Sequence, residues 1–167
     1  AMAYTLSLIE TALDVTQSEL DPEIIERILG LGRDILTHPV ELLPDVESVL
    51  PVLQSRYRLI IVTKGDILDQ ERKLGKSGLL PYFHHIEIVS EKHEDNYRDL
   101  LRRLDIEPAE FMMVGNSLKS DVLPVLNIAG QAVHVPAASI WEHEQCANPS
   151  IHYYEIDRLG RLLTVLT

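Results

Sequence analysis

Three polar stretches stand directly after short apolar runs, and they are where this sequence could do chemistry. Thr63-Lys64-Gly65-Asp66 follows Leu59-Ile60-Ile61-Val62, Ser90-Glu91-Lys92 follows Ile86 to Val89, and Gly115-Asn116-Ser117, with Ser120-Asp121 shortly after, follows Phe111-Met112-Met113-Val114. Hydroxyls, ammonium groups and carboxylates gathered in this way are material for a polar site, because open parallel sheets hold their reactive groups at the carboxyl ends of the strands. Each stretch also has a purely local reading. Thr63 suits a strand terminus and Lys92 a solvated loop. Asn116 and Ser117 suit helix N-caps, with Asp121 favoured by the dipole of the helix they open. The ordered combination of the stretches is what sets them apart.

Other reactive residue types give no comparable pattern. Of the seven histidines, His84-His85 reads as a loop and His134 as part of a strand, without metal-ligand spacing. Glu142-His143-Glu144 with Cys146 lies in an acidic loop, where neither ligand number nor geometry supports a metal. Cys146 lacks an activating neighbourhood for a thiol nucleophile, and Trp141 reads as a packing residue.

The elements that must position the strand ends follow from hydrophobic periodicity. Leu6, Ile9 and Leu13 mark one helix stripe. Asp21-Pro22 with Glu23 starts a second helix, whose apolar face is Ile24, Ile25, Ile28, Leu31 and Ile35. A third helix starts at Pro44-Asp45. Leu59 to Val62 is then expected as a strand buried on both faces, followed by a helix from Ile67 to Lys76 that ends at Ser77-Gly78. The pattern continues as a strand at Ile86 to Val89, a helix from Asn96 to Leu104, and a strand at Phe111 to Val114. A helix from Lys119 to Ile128, closed by Gly130, leads into a strand at Ala132 to Val135. The tail, from Tyr153-Tyr154 to Leu166, reads as a short extended piece and a closing helix. Strands alternating with helices specify an α/β fold with a parallel, doubly wound, Rossmann-like sheet. The predicted organisation is a helical segment over residues 1–42 and an α/β core over 43–167.

Bulk composition narrows the function classes. With 167 residues, 46% of them hydrophobic and 25% charged, the chain can bury a core without staples. A formal net charge of −11 repels a phosphate backbone, and Arg98, Arg102 and Arg103 read as the solvated face of one helix. No nucleic-acid partner is expected. No apolar run is long enough to span a bilayer, so no membrane partner is expected either. A single cysteine and the lack of a signal-peptide pattern point to the cytoplasm.

The order hydrophobic-Thr63, then Lys92, then Gly115-Asn116-Ser117-x-x-Ser120-Asp121 resembles motifs two, three and four of the haloacid dehalogenase superfamily. The Ser77-to-Phe83 segment and Asn127-Ile128-Ala129-Gly130 are similar to the surroundings of those motifs in phosphatase-type members. The residues before Pro44 resemble part of a helical cap. This resemblance implies Mg²⁺-dependent hydrolysis of a phosphate monoester, with a small phosphorylated metabolite as substrate. It implies that Thr63 hydrogen-bonds the transferring phosphoryl group and that Lys92 neutralises its charge. Lys64, Asn116 and Ser117 would also contact the phosphate, and Asp121 would hold the metal, with Asn116 offering a neutral oxygen where many relatives have an acid.

The resemblance also implies an Asp-x-Asp motif, source of the nucleophile and the acid/base partner, at the end of a strand central to the sheet. No such stretch is found in these residues. Asp14-Val15-Thr16 follows a helical pattern, and Asp45-Val46-Glu47 opens a helix. Without a carboxylate nucleophile no covalent aspartyl intermediate forms, so the chain alone is expected to be inactive. The alternative is a non-catalytic, oligomeric binding module. A central strand would also be missing between those ending at Thr63 and Val114. Three solutions are open: direct pairing of those strands, a segment exchanged with another copy in a homo-oligomer, or a separate fragment. Tyr4 to Ile9, with Tyr4, Leu6 and Leu8 in alternation, is a further source of a strand.

Overall fold

The computed structural model describes residues 2–137 and 151–166. It divides into two compact units, residues 1–41 and 42–167.

The first unit is a pair of helices, α1 (Met2–Val15) and α2 (Pro22–Thr37). The Asp21 carboxylate accepts from the Glu23 N–H at 2.9 Å, and Pro22 occupies the first turn, where its missing N–H costs nothing. Tyr4 to Ile9 is therefore helix and not a spare strand. The expected apolar faces need correction: Leu6, Ile24, Leu31 and Ile35 are exposed. The helices approach at Gly32, the one buried residue of α2, where an added Cβ would fall 2.3 Å from Thr5 Oγ1. The face that meets α1 carries Gly32 with the half-buried Ile25 and Ile28 of the expected stripe.

The second unit alternates helix and strand. Its order is α3 (Val46–Gln54), β1 (Ile60–Lys64), α4 (Ile67–Ser77), β2 (His85–Val89), α5 (Glu94–Leu104), β3 (Met112–Gly115), a π-turn over Leu118–Val122 with α6 (Leu123–Asn127), β4 (Gln131–His134), β5 (Tyr154–Glu155) and α7 (Leu162–Val165). The left-handed cap after α4 is Gly78, at φ 71°. After α6 that conformation falls on Ala129, φ 66°, and not on Gly130, which lies against Val125. His85 belongs to β2 and not to a loop. Asp45 caps α3 from a left-handed conformation, and its carboxylate accepts from the Gly160 N–H at 3.1 Å.

Among the described residues all strand pairs are parallel, and the strands form two parts. β1 pairs with β2, and β3 pairs with β4, which pairs with β5. Direct pairing of β1 with β3 does not occur among the described residues. The two parts nevertheless share the same core layers. Val62 of β1 packs with Met113 of β3 against Tyr97, Leu101, Phe111, Val125 and Ile128. On the opposite face, Leu59 joins Met112 and Val114 around Val49, Leu53, Val133, Ile156 and Leu162.

Backbone direction shows which edges are open. Gly65 N–H donates to Val89 C=O, and successive residues of a strand point to alternate sides, so Ile60 and Val62 face away from β2. By the same alternation, Phe111 and Gly115 bond towards β4, and Met112 and Val114 face away from it. Among the described residues no strand pairs with the edge of β1 away from β2 or with the edge of β3 away from β4, and both edges border the shared core layers. This also corrects the expected burial of β1, which is half-buried at every position, whereas Ala132, Val133 and His134 of β4 are buried. A parallel strand reaches full burial only with a neighbour on each side.

Along α5, Arg98 pairs with Asp95 and Arg102 with Asp99 on the solvated face, while Arg103 reaches Glu87 of β2. Burial by itself would raise the Glu87 carboxyl, but the bonds and charges of Arg103 and His85 outweigh it and hold the group below its ordinary value. A depressed folded-state value contributes stability that is present above the unfolded value and is lost as pH falls through the folded one. Glu87→Gln is therefore expected to cost about 1 kcal/mol at neutral pH. Urea unfolding should show this difference vanish as the pH is taken well below the ordinary glutamate range.

Candidate functional site

The turn after β1 is fixed by side chains of its own neighbourhood. Gly65 sits at φ +134°, a conformation closed to most residues, and its bare Cα leaves room for Gln70 of α4. Gln70 Nε2 donates to the Lys64 carbonyl at 3.3 Å, and the Thr63 hydroxyl donates to Gln70 Oε1 at 3.4 Å. Asp66 caps α4 by accepting from the Asp69 N–H at 3.0 Å. Thr63 and Lys64 are thereby held at the carboxyl end of β1.

The loop after β3 is more tightly built. Ser117 is the N-cap: its hydroxyl oxygen accepts from the Ser120 N–H at 3.0 Å. The Val122 N–H reaches back five residues to the Ser117 carbonyl, which makes the turn a π-turn instead of the plain α-helix expected there. That extra residue per turn carries Asp121 back over the end of β3. Its Oδ2 accepts from the Ser117 N–H at 3.0 Å. An added Cβ on Gly115 would fall 2.2 Å from that oxygen, so the close approach requires glycine.

Lys92, arriving from β2, donates to Asp121 Oδ1 at 2.7 Å, and the two side chains are 11% and 5% exposed. The local reading of Lys92 as a solvated lysine is thus corrected, since its charge is buried against a carboxylate. Lys64 Nζ lies 3.4 Å from Ser120 Oγ and 3.9 Å from Glu91. Beneath the turn, the Tyr97 hydroxyl donates to the Ser120 carbonyl at 3.0 Å, and burial, with the nearby Asp121 charge, pushes the phenol well above its ordinary value. Tyr97 is therefore a neutral donor at any physiological pH.

The structure accordingly brings Lys92, Asp121 and Ser117 into one connected group, with Lys64 reaching it through Ser120. Thr63 is held by Gln70, at the end of the strand that carries Lys64. Asn116 is exposed on the same loop, and its backbone carbonyl lies 3.2 Å from His134 Nε2. Sequence patterns marked Ser120 as part of the ordered stretch after β3 but gave it no role, and they did not single out Gln70, Tyr97 or His134 as site residues. For Tyr97 a signal existed, since a tyrosine on the apolar face of an amphipathic helix needs a partner for its hydroxyl.

The arrangement gathers the hydroxyls of Ser117 and Ser120 and the ammonium groups of Lys64 and Lys92 around the Asp121 carboxylate. The Asp121 carboxylate is engaged by Lys92 and Ser117 and is not a free nucleophile or base. Of the two acidic stretches weighed in the sequence, Asp14 lies in α1 and Asp45 is bound to Gly160. Among the described residues no group of three metal-ligating side chains converges. One paired carboxylate and a neutral amide are too few hard donors for Mg²⁺, so these residues alone do not fit the metal. The Trp141, Glu142, His143, Glu144 and Cys146 readings lie outside the described residues. No helix among the described residues is long and apolar enough to cross a membrane.

Comparison with known proteins gives concordant results. The sequence model for haloacid dehalogenase-like hydrolases matches residues 3–126. N-acylneuraminate-9-phosphatase of Mus musculus is 27% identical over 124 residues, covering 71% of this chain and 50% of the relative. Glyceraldehyde 3-phosphate phosphatase of Methanopyrus kandleri is 27% identical over 152 residues, covering 87% of this chain and 65% of the relative. Among solved structures, a haloacid dehalogenase-like family hydrolase from Xanthomonas campestris is 34% identical with a TM-score of 0.88, over 97% of this chain and 69% of the other. The chain thus spans about half to two thirds of the length of the curated relatives cited.

Proposed function

Since this chain belongs to the haloacid dehalogenase-like hydrolase family, we propose that it supplies the phosphate-binding side of a phosphate-monoester hydrolase acting on a small phosphorylated metabolite. The observation that carries this reading is the buried Lys92–Asp121 pair, set 2.7 Å apart beside Ser117 at the carboxyl ends of the parallel strands. In this reading Thr63 and Ser117 hydrogen-bond the phosphoryl oxygens. Lys92, with Lys64 behind it, offsets their charge as it develops in the transition state. Asn116 lines the same loop. Asp121 holds Lys92 in place and becomes a metal ligand only in a site completed by further carboxylates. The magnesium dependence that the resemblance implies belongs to that completed site.

The phosphatase relatives named above support the reaction class. The helical first unit, by its resemblance to a cap, is assigned substrate selection. The nucleophile is assigned to a strand entering the slot between β1 and β3, because a group at the carboxyl end of such a strand would stand beside Thr63, Lys92 and Asp121. The chain alone is then expected to leave generic phosphoesters with Mg²⁺ intact. Turnover by the chain alone that disappears in Asp121→Ala would instead mean that it carries its own nucleophile.

The open edges of β1 and β3 favour a second reading, a non-catalytic module that associates with another copy by strand or segment exchange. Sedimentation at increasing concentration separates the two: a constant monomer mass removes the exchange reading.

A further inference from the structure

His134 stands outside the group formed by Lys92, Asp121 and Ser117. It ends β4, is 4% exposed, and sits between the phosphate-facing loop and β5. Its Nδ1 lies 2.9 Å from a Glu155 carboxylate oxygen, and its Nε2 lies 3.2 Å from the Asn116 backbone carbonyl. Its own carbonyl accepts from the Ile156 N–H at 3.0 Å, and the ring of Tyr153 packs edge-on against it. The last β3–β4 ladder bond runs from the Val135 N–H to the Gly115 carbonyl, so Asn116 stands one residue beyond the sheet. Its carbonyl has left the ladder just where the chain must turn into the Ser117 cap. The ring nitrogen Nε2, reaching across from β4, meets it there and donates to it when it carries a proton.

We propose that His134 is a positioning residue: held from behind by Glu155, it fixes the Asn116 carbonyl and thereby the start of the loop that presents Ser117 and Asp121. The proposal rests on the reading of that loop as phosphate-facing and adds to it the residues that set its place. The route is short. Asn116 precedes Ser117, whose N–H binds Asp121 Oδ2 at 3.0 Å, and the other oxygen of that carboxylate holds Lys92. A shift at Asn116 therefore reaches both members of the buried pair.

Two substitutions separate positioning from general support, because they divide the two ring nitrogens. The amide nitrogen of glutamine stands as many bonds from Cβ as Nε2, and that of asparagine as many as Nδ1. His134→Gln keeps a donor towards Asn116, whereas His134→Asn keeps one only towards Glu155. Amide hydrogen exchange on the full ¹⁵N-labelled chain reads the loop directly, with Val133 and Leu101 reporting overall stability. Protection at Ser117 and Ser120 is expected to fall about tenfold in His134→Asn, relative to those core amides, through the lost hydrogen bond to a buried carbonyl. In His134→Gln most of it should return. Titration with inorganic phosphate, followed at the same amides, should weaken in His134→Asn and recover in His134→Gln. Equal protection in wild type and His134→Asn, or an equal loss in both variants, would overturn the proposal. So would a loosened loop that binds phosphate unchanged. A wild-type chain that shows no phosphate response would count against the phosphate-facing reading, while the exchange comparison still decides whether His134 holds the loop.

Discussion

Fused ahead of its first residue to an apolar, β-branched segment that ends in Asp-x-Asp, the chain is expected to hydrolyse a generic phosphoester in Mg²⁺ at least about 10³-fold faster than the chain alone, a gain of the scale that follows a catalytic nucleophile. The physical basis is the slot. Ile60 and Val62 on one side, and Met112 and Val114 on the other, offer backbone groups to a parallel strand. The core layers above and below would bury apolar side chains on both of its faces. Each new backbone bond contributes only about 1 kcal/mol net, and ordering each residue costs about 1–2 kcal/mol. A free peptide is therefore expected to bind weakly. A tether raises the effective concentration to the millimolar range, which is why the fusion is the decisive form.

The controls carry the logic. Replacing the first aspartate of the added segment by asparagine, or Asp121 by alanine, should return the rate to that of the chain alone. A fusion that gains amide protection at Ile60 and Val62 without turnover would mean that the slot takes a strand but performs no chemistry. That outcome favours the non-catalytic module.

The second large effect concerns stability. Lys92→Ala leaves the Asp121 carboxylate, in a residue 3% exposed, without its cation. Removing one partner of a buried ion pair costs about 3–5 kcal/mol, a substantial part of an ordinary domain's stability. The Ser117 N–H still bonds Asp121, so the lower end of that range is expected. Urea unfolding should register it as a lower midpoint with an unchanged slope. The double variant Lys92→Met/Asp121→Leu should recover most of the loss, since apolar groups of similar size replace a buried pair at little cost. If Lys92→Ala left the midpoint unmoved, the pair would be solvated and its part in organising the loop would fall.

The order of helices and strands was legible because β-branched runs such as Ile60-Ile61-Val62 and helix signals such as Asp21-Pro22 are local. Failures came where a distant contact decided. Leu31 and Ile35 look like core until Gly32 meets Thr5. Residues 119–122 look like plain helix until Asp121 must reach back over Gly115. The site shows the same division. Lys92, Ser117 and Asp121 were marked by order along the chain, and resemblance to a known family sharpened that order. Ser120 was marked by the same order, but its contact with Lys64 was not. Tyr97 and His134 were not marked as site residues, because each acts through a contact made by tertiary folding: a phenol beneath the turn and a ring nitrogen beyond the end of a ladder.

The division of the sheet coincides with a division of the chain. β1, α4 and β2 occupy residues 60–89, and β3, α6 and β4 occupy 112–134. Each set is a self-contained crossover that closes over a short loop, so neither must wait for the other to pay its entropy of closure. The two crossovers can nucleate separately and then dock through Val62, Tyr97 and Met113. In hydrogen exchange they should open as distinct cooperative units, with the β1–β2 crossover, whose strands are half-buried at every position, opening first.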